Sequence, residues 1–188
     1  MALDSLNNEI NGYRAKAVAE ITQYRDLQNK LKNDPTLTPQ GKHELLADAH
    51  RLVTESVTKI AKQEENAIAA KTESLQRALI ARIGTNGSDV IAMRDAEERA
   101  DRLDDDKEAM RIIERAIRSD DRSLAHAVIR KANESGWAEV VDKAAEAYPS
   151  AGEAIRDAAE LQRYTADIRE GFARAATYSV GDAPRLRG

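Results

Sequence analysis

Residues 3–41 read LDSLNNEINGYRAKAVAEITQYRDLQNKLKNDPTLTPQG, and the fold turns on how this stretch is parsed. Leu3, Ile10, Ala17, Tyr24 and Leu31 recur every seven residues, and Leu6, Tyr13 and Leu27 fill the companion positions. Apolar side chains at that spacing line one face of a helix, as in the a/d seam of a coiled coil. The spacing predicts a helix over 3–33. Glu20 interrupts the companion series, Val18 and Ile21 widen the stripe beside it, and Gly12 costs about 1 kcal/mol relative to alanine. Asn33-Asp34-Pro35 ends the helix, because the residue before a proline is pushed out of the α region. Thr38 then reads as an N-cap with Pro39 at the first helical position. A connection of about six residues implies antiparallel neighbours.

The second helix is expected from about Pro39 to Ile83. Its seam reads Leu46, Ala49, Val53, Val57, Ile60, Ala67 or Ile68, Leu75, Leu79 and Ile83. At 1.5 Å per residue it would span ~65 Å against ~45 Å for the first. Its last third, Ala67 to Ile83, therefore overhangs while staying apolar. That overhang needs a partner, supplied by the C-terminal region or by a second chain. The candidate partner-contact residues are Leu3, Ile10, Tyr13, Tyr24, Ile68, Leu75, Leu79 and Ile83. The length mismatch and the weak Ala17/Glu20 layer favour oligomerisation or docking over a closed monomeric hairpin.

Beyond Ile83 the style changes. Gly84-Thr85-Asn86-Gly87 marks a boundary, and Ser88 or Asp89 can cap the next helix. Shorter helices are expected at about 89–103, 106–118, 121–134, 137–148 and 150–177, separated by Asp104–Asp106, Asp120-Asp121, Ser135-Gly136 and Pro149. No segment alternates as a strand would. The expected architecture is all-α. A long N-terminal antiparallel helical hairpin, coiled-coil-like, over 1–83 precedes a bundle of short helices over 88–177 and an irregular tail over 178–188. The pair around Gly136 has the look of one tetratricopeptide-type unit, but a solenoid needs several.

The chemistry-bearing patterns are incomplete. His43-Glu44-Leu45-Leu46-Ala47 begins like a zinc-protease HExxH motif, but alanine replaces the second histidine, and His50 lies too far along. The acids from Asp95 to Glu108 lack the glycine and glutamate positions of a calcium loop, and Arg94, Arg99, Arg102 and Lys107 interleave with them, so they read as a solvated face with helix caps. No phosphate-cradling loop, Rossmann fingerprint or G-x-S-x-G is present. Neither catalytic nor metal residues are assigned, and no cofactor is expected. Trp137 reads as a core anchor, and Arg185 and Arg187 as part of a basic tail end.

A third of the 188 residues are charged, aromatics make up 4%, and the apolar fraction leans on alanine. Such chains favour long helices over enzyme cores. The net charge of −4 argues against nucleic-acid binding by bulk electrostatics. Cysteine is absent, which excludes disulfides and thiolate sites. No stretch approaches the ~20 apolar residues of a membrane span, and the N-terminus lacks the pattern of a secretory signal.

Asp34-Pro-Thr-Leu-Thr-Pro-Gln-Gly41, leading into a long Ala- and charge-rich helix, resembles segments of small helical proteins of tailed phages and prophages. Ala116 to Ile129, continuing through Ser135-Gly-Trp137 to Tyr148-Pro149, is similar to a helical hairpin in such proteins from phages of actinobacteria. The resemblance implies a non-enzymatic virion component or assembly factor: a scaffold, a capsid accessory, or a head–tail or tail part. It would bind other protein chains, itself included as a homo-oligomer, in the virion or in the host cytoplasm during assembly. It carries over no site residues. The alternative is a cytoplasmic helical regulator or adaptor, including a nucleic-acid-associated one.

Overall fold

A computed structural model of the chain describes residues 2–83 and 90–184. Among them are eight α-helices and no strand: α1 (Ala2–Asn33), α2 (Pro39–Ile83), α3 (Val90–Asp101), α4 (Asp106–Arg118), α5 (Arg122–Ser135), α6 (Ala138–Ala147), α7 (Gly152–Ala166) and α8 (Ile168–Thr177). The Gly84–Gly87 boundary, the caps at Ser88 and Asp89, and Arg185 and Arg187 lie outside the described residues.

The turns follow from side chains that satisfy helix-end amides. The Asp34 carboxylate accepts from the Thr36 amide at 2.8 Å and hydroxyl at 2.6 Å, which fixes the chain after α1. Thr38 Oγ1 accepts from the Gly41 amide at 3.1 Å and caps α2. Asp105 and Asp121 cap α4 and α5 through the amides of Glu108 and Leu124. Gly136 ends α5 at φ 74°, a left-handed position that suits a residue with no Cβ.

The helices gather into two compact units, Met1–Ala69 with Ile168–Gly188, and Ala70–Asp167. In the first, Ala17, Ile21 and Tyr24 of α1 pack on Val53, Val57 and Ile60 of α2. The pairing runs antiparallel, since Arg14 meets Glu64, Tyr24 meets His50, and Lys42 reaches the Lys32 carbonyl. Tyr178 and Val180, from beyond α8, pack against the same cluster, so three segments share the seam rather than two. In the second unit α5 is central, touching α3, α4, α6 and α7. Its Leu124, Val128 and Ile129 are fully buried with Ile113, Val140 and Ile155.

Two expectations need correction, and one open alternative is decided. The single helix expected over 150–177 is two, because Asp167 takes an extended backbone (φ −70°, ψ 115°) between α7 and α8. The units do not divide at Gly84–Gly87. Residues 70–83 of α2 belong with the short helices, while α8 and residues 178–184 belong with the hairpin. Finally, the C-terminal end of α2 is covered, as the first of its two expected partners would have it. Leu75 and Leu79 line a cleft with Met93 and Leu161, and Leu75, Leu79 and Ile83 are all buried, so the chain's own short helices supply the partner.

Candidate protein-contact surface

Glu64 decides how the first unit closes. It sits at a seam position between Ile60 and Ile68, where an apolar residue would continue the stripe, and its side chain is 0% exposed. A buried carboxylate is tolerated only when its lone pairs are met. Here four bonds meet them. Arg14 of α1 donates through Nε and Nη2 at 3.2 and 3.1 Å, Arg174 of α8 through Nε at 3.0 Å, and the Tyr178 hydroxyl at 2.5 Å. Arg14 also pairs with Glu170 of α8 at 3.8 Å.

The electrostatics follow. Burial alone would push the Glu64 carboxyl up. The Arg14 fork, the Tyr178 hydroxyl and the two guanidinium charges outweigh burial and hold the carboxyl below its ordinary value. Burial, together with the bond to Glu64, pushes the Tyr178 phenol well above its ordinary value.

This cluster orients α8. Glu170, Arg174 and Thr177 lie about one and two turns apart on one face, and all three are half-buried. The apolar stripe Ile168, Phe172, Ala175 and Ala176 lies on the opposite face and is exposed. Ile168 is 75% exposed and Phe172, the only phenylalanine in the chain, is 74% exposed. An ordinary amphipathic helix does the reverse. Among its described residues α8 buries none.

After α8 the chain runs back along α2. His50 Nε2 donates to the Gly181 carbonyl at 3.1 Å, and His43 Nε2 donates to the Pro184 carbonyl at 3.2 Å. Seven helical residues rise ~10.5 Å, and three extended residues reach ~10 Å. The spacing that fails the zinc motif is thus the spacing that straps an extended segment to a helix.

The other flank of the hairpin is open. On α2, Leu52 points about 160° away from His50, and on α1 Leu27 points about 140° away from Arg14. Leu27 and Leu52 line a shallow groove with Glu20, Gln23, Tyr24 and Ala49. Leu45 lies one heptad before Leu52, and Leu27, Leu45 and Leu52 are all exposed. Leu27 and Val18, both read as part of the seam, are therefore on the surface.

Of the residues first assigned to partner contact, Leu3, Ile10, Tyr24, Ile68, Leu75, Leu79 and Ile83 are buried at 8% or less. They are covered within the chain. Tyr13 is half-buried, and its hydroxyl donates to Glu9 at 2.7 Å. The sequence reading passed over Glu64, Arg174, Tyr178, Ile168 and Phe172. The available signals were an acid within the seam of α2 and a stripe at 168, 172 and 175 facing away from Glu170 and Arg174.

The remaining motifs find structural roles. In the acidic run, Asp105 is a cap, Asp101 receives Arg130 at 2.7 Å, and Asp95 and Glu98 pair with arginines one turn away. Trp137 precedes α6 and is half-buried. Among the described residues no group of three or more His, Asp or Glu side chains is placed to hold a metal ion, and no helix is long and apolar enough to cross a membrane. No family model, curated protein or solved structure matches the chain.

Proposed function

We propose that this chain is a non-enzymatic structural or assembly protein of a tailed phage or prophage, and that it self-associates through α8. The observation that carries the reading is the inverted orientation of α8, polar face inward and Ile168 and Phe172 outward. A helix held by its polar side leaves its apolar side for another chain.

The occupant proposed for that face is the open flank of a second copy. Leu27, Leu45 and Leu52 form an apolar surface on the side of the hairpin away from α8, so one copy offers both halves of a contact. Together the two halves expose on the order of 500 Å² of apolar surface, comparable to the ~300–600 Å² of the largest patch on an ordinary monomer. With their polar surroundings they come near the ~1,000 Å² that a specific interface needs. Association is then weak and concentration-dependent. Because the halves differ, it is head-to-tail and can extend into an open array, which suits a scaffold or shell component.

The chain has no cysteine, which gives a direct test. Phe172→Cys and Leu52→Cys proteins, mixed and oxidised, are expected to form the mixed disulfide dimer in preference to either same-site dimer. Same-site dimers alone would refute head-to-tail packing. The phage assignment is tested separately by mass spectrometry of purified particles and assembly intermediates, and absence of the chain from both would reject it.

A further inference from the structure

The joint between α7 and α8 is a single residue. The Asp167 amide still donates to the Arg163 carbonyl at 3.1 Å, the bond that a helix repeats at every residue. Its φ of −70° is also a helical value, and only ψ, at 115°, departs from the helical value of about −42°. One torsion, turned by roughly 155°, therefore separates two helices from one continuous helix over 152–177. The joint reads Tyr164-Thr-Ala-Asp-Ile-Arg-Glu170 and holds neither proline nor glycine, so nothing in it forbids the continuous form. An aspartate just ahead of a first helical turn favours the break instead. Local chemistry sustains both forms, and the docking of α8 decides between them.

That docking runs through the polar face of α8. None of its described residues is buried, so little apolar contact is lost when it leaves. The slot left behind is demanding. Glu64 is fully buried and would keep only Arg14 as a donor. A buried carboxylate short of donors is costly, which favours any occupant that restores them. The occupant must bring a guanidinium and, four positions on, a phenol to Glu64. It must also bring a carboxylate, four positions before the guanidinium, to Arg14. Glu170, Arg174 and Tyr178 of a second copy carry all three groups in the register that the slot already accepts.

We propose that α8 and the residues after it are exchanged between two copies of this chain. With Asp167 helical, α8 follows the direction of α7 and leaves its own hairpin. Its Arg174 and Tyr178 then meet Glu64 of a second copy, whose α8 does the same in return. A hinge this short suits such an exchange. The exchange uses the polar face of α8 and stands apart from the apolar contact proposed above, which joins Phe172 to Leu52.

Acid opens the slot, because a protonated Glu64 no longer attracts Arg14 and Arg174. The full chain is concentrated at pH 3, returned to pH 7 and diluted. Gel filtration is expected to show a dimer that persists after dilution, since reopening must break the buried cluster. A contact between exposed apolar faces would dissolve at once. Ile168→Pro locks the break, because proline suits a first helical position and holds the residue before it extended, as Asp167 already is. It should lower the dimer about tenfold or more with helix content kept, whereas Asp167→Leu, which removes the cap, should raise it. In a dimer of isotope-labelled and unlabelled chains, filtered nuclear Overhauser effects should link the Tyr178 ring of one to methyl groups of the other. Those methyls belong to the cluster on which Tyr178 packs, Val57 and Ile60 among them. Equal dimer from the unaltered chain and Ile168→Pro would overturn the exchange. So would the absence of a lasting dimer from Asp167→Leu, or a dimer without those links.

Discussion

Glu64 carries more of the first unit than its single side chain suggests. Removing one partner of a buried ionic cluster costs ~3–5 kcal/mol, because the remaining charges keep the desolvation penalty without the attraction. Arg14 and Arg174 are partly exposed, at 22% and 26%, so the lower end of that range applies. Glu64→Ala is expected to release α8 and the strap, read as loss of amide-exchange protection over 170–178. Glu64→Gln, which keeps an acceptor, should lose less. The same cluster sets a pH window. The Glu64 carboxyl is depressed in the folded chain, so its contribution is complete above the ordinary carboxylate value, ~4.3, and fades as pH falls through the folded value. The Tyr178 phenol is raised, so its contribution is complete below ~10 and fades at still higher pH. Protection of α8 should be flat across neutral pH and collapse in acid. Equal protection at pH 3 and pH 7 would contradict this account. At this scale the sequence hid its key residue because Val57, Ile60 and Ile68 satisfy the seam without it. The three donors come from positions 14, 174 and 178, and no local pattern links them to position 64.

At the scale of elements, caps and breakers made most helices legible. Asp34-Pro35, Thr38-Pro39, Asp105, Asp121 and Gly136 all act through local chemistry that a sequence displays. The break at Asp167 is different. The apolar positions 154, 158, 161, 168, 172 and 175, with Thr165 between them, keep helical phase across it, with no proline there, so periodicity ran α7 and α8 together. The fate of the α2 overhang was equally non-local. The stripe called for a partner, but only the folded short helices identify it. One close approach gives a test. A Cβ on Gly152, at the start of α7, would lie 2.8 Å from the Ala145 carbonyl oxygen of α6. That neighbour is backbone and cannot swing away. Gly152→Ala should therefore destabilise the second unit by ~1–3 kcal/mol despite the better helix propensity of alanine. Urea unfolding followed by Trp137 fluorescence would read it, and an unchanged or raised midpoint would contradict the packing.

For the whole molecule, composition indicated an all-helical chain, while the proposed contact surface rests on orientation. An Ala-rich sequence with few aromatics conceals which of its stripes will be covered, and here the long seam is covered and the short one on α8 is not. If apolar faces drive association, sedimentation should show the average mass rising with protein concentration. It should rise further in sulfate salts, which strengthen apolar burial. Phe172→Glu should keep the chain monomeric without altering its helix content. Mass that falls with added sodium chloride would instead indicate an electrostatic contact.

The first unit is discontinuous, with the segment 70–167 set between its two parts. A ribosome releases the hairpin early, yet Glu64 must wait for Arg174 and Tyr178 until all of 70–167 has been translated. During that interval the open flank of the hairpin exists, but the stripe that would fill it has not been made. Nascent chains on one message therefore cannot join to one another in the order they emerge. If the proposed head-to-tail contact forms, growth is confined to chains whose translation has passed α8, and the order of the segments in the gene would act as a timer on it.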